Sequence, residues 1–341
     1  MSDTNLKEIF NKNKNKIKIF YKDFGRIFLI LFFTFLFILS IFIFQKISST
    51  KNLKIIFFDI GQGDSALIQT PTGENILIDT GPSNLILKKL SDSLSIFDRK
   101  IDLAILSHPD SDHVAGFISV FQNYNIKNIL ENGDNNKESE IYTEIKNEIS
   151  KQKEKNNSQE YFANCGDEIY FSKNSNQDED NESSEQENIL IPKFFIIHPK
   201  QNDLIVNDTN DNSVVILLVY SDYGFLFTGD ASQDVENKLF FEIENCFNKN
   251  DSDFIKSNLK KLTVLKVSHH GSTSGSGEDF IKKIKPNYSV ISAGKNNRFG
   301  HPNETTLKIL EKYSKNILNT INDGDITFTT DGKNFEIQTS K

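Results

Sequence analysis

The stretch Ser107-His108-Pro109-Asp110-Ser111-Asp112-His113-Val114-Ala115-Gly116 follows a largely apolar run, Ile101–Leu106, and carries two imidazoles and two carboxylates within six residues. Groups this dense repel one another and lose hydration unless a cation sits among them. Pro109 and Gly116 keep a regular helix from starting early and let the loop close around a point. The same residue types recur at other strand ends. Five of the six histidines lie in three loops punctuated by glycine or proline: His108 and His113, His269 and His270, and His301. Asp230 ends the apolar run Phe225-Leu226-Phe227-Thr228-Gly229, and Asp79 precedes Thr80-Gly81. Loops at several strand ends, each offering a His or an Asp, are what a metal site at one edge of a sheet requires. A divalent ion held there lowers the pKa of a bound water and offsets charge on a phosphoryl or carbonyl oxygen. His198, before Pro199, stands apart and is expected to be structural.

The elements needed to carry these loops are legible in outline. Strands are expected at Lys54–Asp59, Ser65–Thr70, Asn75–Asp79 and Leu103–Leu106, with tight turns at Gly61-Gln62-Gly63-Asp64 and Pro71-Thr72-Gly73-Glu74. Thr80-Gly81-Pro82-Ser83 stops a strand and caps a helix near Asn84–Leu94, and Phe117–Tyr124 begins another. Downstream, Phe194–His198, Val214–Tyr220, Phe225–Thr228, Leu262–Val267 and Tyr288–Ser292 read as strands. Helices are expected at Ile141–Lys155, Ser232–Cys246, Phe280–Ile284 and Thr305–Tyr313, and the tail Ile317–Thr339 as short strands. Strands interleaved with helices imply a layered α/β sandwich, one domain over residues 53–341.

Asp59-Ile60-Gly61-Gln62-Gly63-Asp64, Ile78-Asp79-Thr80-Gly81, Ser107–Gly116, Thr228-Gly229-Asp230 and His269-His270-Gly271-Ser272 occur in the order seen in the metallo-β-lactamase fold. More narrowly, they resemble the hydrolase domain attached to ComEC-type DNA-uptake proteins. The resemblance spans about Leu53 to Thr306 and implies an αββα sandwich with one or two divalent ions, Zn²⁺ or Mn²⁺, on the sheet edge. It implies His108, Asp110, Asp112, His113, Asp230 and His270 as ligands, with His270 preferred to His269 because alternate residues of an extended backbone face oppositely. The superfamily's metal loop has a second histidine where Asp110 stands, a change shared by the ComEC-like branch. Asn210-Asp211-Asn212-Ser213 stands where another histidine is usual. One or two ions therefore remain open.

Around the ligands, Asp112 is expected to orient the attacking water as well as to bind metal. Asp79 is expected to support His113 or the loop backbone, and Asp64 to stand behind the ligands. Ser272, Asn212, Ser213 and Arg298 are candidate substrate contacts, and His301 a candidate proton donor to a leaving oxygen. Carboxylate ligands shift preference from Zn²⁺ toward Mn²⁺ or Mg²⁺.

The whole chain has 341 residues and a net charge of −8, against a surface coated for nucleic acid. Within it, Ser252–Pro302 holds nine Lys/Arg against three Asp/Glu, a local excess that favours an anionic substrate. No aromatic–basic alternation marks a nucleic-acid platform. Residues 27–44 carry no charge and are long enough to span a membrane. The preceding Met1–Arg26 has seven Lys/Arg against three Asp/Glu, so it reads as a cytoplasmic tail with the remainder facing outward. The only cysteines, Cys165 and Cys246, are read equally as a bridge or as two buried thiols. Residues 174–188 carry six acids and no apolar side chain, the composition of a disordered loop.

The leading expectation is a membrane-anchored metallohydrolase cleaving phosphodiesters, DNA foremost, in a competence-related setting. Hydrolysis of a cell-wall phosphodiester or lactone, and a non-catalytic surface binding protein, are the alternatives. A single hydrophobic span is too few for a DNA channel, so transport is not expected of this chain alone.

Overall fold

The computed structural model describes residues 24–41, 52–95, 98–134, 139–171, 190–204 and 208–341. Most of the basic tail, residues 42–44 and the acidic 174–188 stretch lie outside these. Phe24–Ile41 is one helix of 18 residues, long and apolar enough to cross a membrane. It begins three residues before the span expected from the sequence.

Lys51–Lys341 forms a separate unit built on two sheets. The first has eight strands in the spatial order Phe335–Thr339, Ile326–Thr330, Leu53–Phe57, Ala66–Gln69, Asn75–Ile78, Lys100–Leu106, Asn125–Glu131 and Gln159–Phe162. The second has seven, in the order Asn316–Asn319, Tyr288–Ile291, Val264–Lys266, Tyr223–Phe227, Val215–Tyr220, Lys193–His198 and Glu168–Ile169. Alternation along the strands builds the layers. Ile55 and Phe57 face the second sheet, whereas Ile56 and Phe58 face the outer helices Leu85–Ser93 and Phe117–Asn123. In Val215–Tyr220, Ile216, Leu218 and Tyr220 meet the first sheet, while Val215, Leu217 and Val219 pack under the helices of the other side. Both faces of each central strand are therefore buried, which gives continuous apolar runs. The result is the expected αββα sandwich.

Four neighbouring strands of each sheet are parallel. Asn75–Ile78, Lys100–Leu106, Asn125–Glu131 and Gln159–Phe162 run together, as do Tyr223–Phe227, Val264–Lys266, Tyr288–Ile291 and Asn316–Asn319. Parallel strands deliver their following loops to one edge, where open α/β sheets place ligands. A backbone hydrogen bond from Val214 to the Ser107 carbonyl, 2.9 Å, joins the sheets there.

Among the elements not anticipated, three have a clear physical reason. Gln159–Phe162 is an exposed edge strand with no buried face, so it carries no apolar alternation. Asn125–Glu131 places Lys127 and Asn128 in mid-strand, which breaks its periodicity. Helix Lys249–Leu259 buries only Ser252, Ile255 and Leu259, too narrow a stripe for a clear helical period. Cys165 and Cys246 form a disulfide that closes 81 residues and ties a turn to the end of helix Gln233–Cys246.

Candidate metal centre

The loop after Lys100–Leu106 carries His108 and closes as the four-residue helix Ser111–Val114. A turn from the first sheet is pressed against it. Asp64 N donates to Asp112 O at 3.2 Å, and a Cβ on Gly63, whose φ is +134°, would stand 2.1 Å from that oxygen. Only glycine lets the two loops approach this closely. Asp230 follows strand Tyr223–Phe227, and His269 and His270 follow Val264–Lys266.

Their side chains meet at one point. His113 Nε2 lies 3.2 Å from Asp230 Oδ1, His270 Nε2 lies 3.3 Å from Asp112 Oδ2 and 3.6 Å from Asp230 Oδ2, and His108 Nε2 lies 3.9 Å from Asp230 Oδ2. One ligand atom each from Asp64, His113, Asp230 and His270 falls within 4.8 Å of the others, and all four residues are buried. The Nε2 atoms of His108, His113 and His270, with Asp230 Oδ1 and Asp64 Oδ1, make no hydrogen bond. Buried polar atoms are rarely left this way, and five gathered from four loops fit a divalent cation.

The surrounding bonds leave those nitrogens free. His113 Nδ1 is 2.9 Å from Asp79 Oδ2, and Asp79 Oδ1 accepts from Ser107 N at 2.9 Å, so Asp79 holds both the ring and the loop backbone. Ser107 Oγ donates to Asp79 Oδ2 at 2.7 Å and lies 3.0 Å from His108 Nδ1. With its one proton used, that hydroxyl accepts from His108 Nδ1–H. His270 Nδ1 donates to Ser292 O at 3.0 Å. Each imidazole thus keeps Nε2 for the centre, and one carboxylate sets the tautomer of two of them.

Charge balance is tight. Burial lowers the His113 and His270 pKa values, but Asp230 beside both, with Asp79 at His113 and Asp64 at His270, raises them overall, His270 to about 9. Burial raises Asp112 and Asp230, yet the same imidazoles hold both below the usual carboxylate range. His108 is pushed down by burial and by His113. Carboxylates this close favour positive charge among them, and a divalent cation bound at the imidazole Nε2 atoms would supply it.

Asp64 touches His270 through the Nδ1 side, at 3.0 Å, and its other oxygen pairs with Lys266 Nζ. Asp110 Oδ1 accepts from Thr209 Oγ1 at 2.8 Å, and its charge is felt by His108. Asn212 and Ser213, expected at the substrate, are buried. Asn212 Nδ2 donates to Asp134, and Ser213 Oγ accepts from Asp230 N and lies 3.4 Å from His108 Nδ1. Ser213 thus supports the centre from behind. Ser272 is buried, its hydroxyl engaged with Ser274.

His269 and His270 do not alternate on an extended backbone. Both sit at positive φ, 49° and 54°, so both rings turn inward. His269 Nε2 reaches 3.7 Å from Asp230 Oδ2, while its Nδ1 bonds Ser274 Oγ at the rim. His301 stands beside His269, ring centres 5.8 Å apart, with Nδ1 unpartnered and its pKa lowered by burial and by His269. Arg298 is exposed over Phe299. His198 bonds Glu242 and Asp211 O, away from the centre.

Two charged supporting residues escaped sequence reasoning. Lys266 is 3% exposed, and its signal was a charge inside the apolar run 262–267. Glu236 had none. Fully buried in helix Gln233–Cys246, it accepts from Ser268 Oγ, Ser276 N and Gly277 N and so fixes both ends of the His269–His270 loop.

Three relatives align over most of the chain. ComE operon protein 3 of Bacillus subtilis is 27% identical over 308 residues, 84% of this chain and 34% of that protein. Recombination protein 2 of Haemophilus influenzae is 24% identical over 308 residues, 89% and 32%. Competence protein ComA of Neisseria gonorrhoeae is 24% identical over 273 residues, 80% and 31%. The ComEC-type resemblance holds in these relatives, of whose length the chain spans about a third. Among solved structures, the metallo-beta-lactamase fold protein YhfI of Bacillus subtilis superposes with a TM-score of 0.49 at 12% identity, covering 82% of this chain and 100% of that one. The model of the metallo-beta-lactamase superfamily matches residues 58–295, well over half of the sequence, and the chain belongs to that superfamily.

Proposed function

We propose that the protein is a metal-dependent phosphodiesterase acting on DNA in a competence-related setting, anchored by Phe24–Ile41 with its hydrolase domain outside the cytoplasm. The observation that carries this reading is the set of buried His and Asp atoms that face one another without hydrogen bonds. The names of the relatives, a competence protein and a recombination protein among them, favour nucleic acid as substrate. The disulfide fits an oxidising compartment, and the basic residues before the helix fit a cytoplasmic N-terminus.

His108, His113, His270, Asp112 and Asp230 are the residues that would hold one or two ions, Zn²⁺ or Mn²⁺, with Asp64 beside His270. Such an ion activates water near neutral pH and offsets charge on a phosphoryl oxygen. Asp112, only half-buried, is placed to orient the attacking water. Asp79 and Ser107 keep His113 and His108 in the ligating tautomer. His301, whose Nδ1 has no hydrogen-bond partner, is the candidate to exchange a proton with the leaving oxygen. Lys295 and Arg298, exposed and without an acidic partner among the described residues, attract the anionic backbone.

Cleavage of linear DNA by the purified chain, with Mn²⁺ or Zn²⁺ supplied, tests the proposal. Wild type is expected to cut, and Asp112→Ala and His113→Ala are expected not to. No cleavage of DNA or RNA with any divalent metal would refute it.

A further inference from the structure

The mouth of the centre carries an aromatic ring that the hydrolytic reading leaves without a task. Phe299 is 53% exposed. A lone exposed phenylalanine is ordinary, but this one belongs to a series. Its ring is nearly parallel to His301, at 13° and 5.8 Å between centres, and His301 meets His269, whose Nε2 reaches Asp230. Arg298 lies over the Phe299 ring at 4.9 Å with no acidic partner among the described residues.

The loop that presents the ring is fixed. Asn297 Oδ1 accepts from Phe299 N at 3.1 Å and His301 N at 3.0 Å, while its Nδ2 donates to the carbonyls of Gly294 and His301. The loop is also docked on the metal loop. Asn303 N donates to Gly271 O at 2.9 Å, and a Cβ on Gly271 would meet Pro302 at 2.7 Å. An exposed aromatic on a loop this constrained is held out for a partner. Beside the His/Asp cluster and a guanidinium with no acidic partner among the described residues, the fitting partner is planar at one end and anionic at the other.

We propose that Phe299 is a stacking platform for a nucleobase, so that the centre takes single-stranded nucleic acid, with one base on Phe299 and its backbone phosphate between Arg298 and the His/Asp cluster. This rests on the phosphodiesterase reading and narrows its substrate. A base in a duplex is stacked on both faces and offers none to Phe299, whereas an unpaired base does. The sequence masks the platform because Arg298 and Phe299 occur once, as neighbours, and not as an alternating pattern.

The test is equilibrium binding of the full chain, in chelator, to a labelled short oligodeoxythymidylate and to the same strand with abasic residues. Wild type is expected to bind the intact strand about ten- to a hundredfold more tightly than the abasic one. Phe299→Ala and Phe299→Leu should erase that ratio, and Phe299→Trp should keep it. An unchanged ratio in Phe299→Ala, or equal binding of both strands by wild type, overturns the platform. Because binding is read without turnover, the two readings separate. A wild type that shows the ratio but cuts no phosphodiester refutes the hydrolase and leaves the platform standing; cutting without the ratio does the reverse.

Discussion

Asp79 touches no candidate substrate position, yet it governs two ligands. It bonds His113 directly and reaches His108 through Ser107. Asp79→Asn can present an amide N–H to His113 and so disturb its tautomer. The expected result is a loss of about 10- to 100-fold in Mn²⁺ or Zn²⁺ affinity, with little change in the unfolding midpoint. Titration calorimetry alongside urea unfolding checks both halves. Gly63 makes the opposite case, since steric space is all it contributes. Gly63→Ala drives a methyl into the Asp112 carbonyl and should destabilise the domain by about 1–3 kcal/mol while loosening ion binding. The histidines and aspartates were legible because imidazoles and carboxylates crowded directly after apolar strands lose hydration and need a counter-charge. Ser107 and Ser292 were not, since their roles depend on a hydroxyl rotor and a backbone carbonyl that sequence leaves unspecified.

At the scale of elements, the His269–His270 loop is held by helix Gln233–Cys246 through one carboxylate. Burial pushes Glu236 up to about 7 from its ordinary 4.5, outweighing its three hydrogen bonds. A raised pKa means that the folded state keeps the proton longer than the unfolded chain. The stabilisation is therefore present below pH 4.5 and lost as the pH rises to about 7, a swing of about 3 kcal/mol. Glu236→Gln cannot ionise, so its stability relative to wild type should rise by about that amount between pH 4.5 and 8. Thermal unfolding of both proteins across this range measures it, and a pH-independent difference would contradict the assignment. Elements with two buried faces, such as Val215–Tyr220, announced themselves in the sequence. Gln159–Phe162 and Lys249–Leu259 did not, because one has no buried face and the other too narrow a stripe.

For the whole molecule, two sheets bring strands distant in sequence to a common edge, and the disulfide ties the turn at Cys165 to the end of helix Gln233–Cys246. Closing 81 residues restricts the unfolded chain, so Cys165→Ser should cost about 2–4 kcal/mol, and a reductant should shift wild type toward the variant. The pairing was undecided from two cysteines alone, because proximity is a property of the folded chain. Protease added to intact spheroplasts should remove the domain if it faces outward. The central claim is that these loops converge on a cation, and the most direct measurement is the metal content of the purified chain after dialysis against Mn²⁺ or Zn²⁺. One or two ions per wild-type chain, and none in a folded Asp230→Asn/His270→Ala double variant, is the predicted result. Wild-type protein that is folded and retains no divalent metal would contradict it.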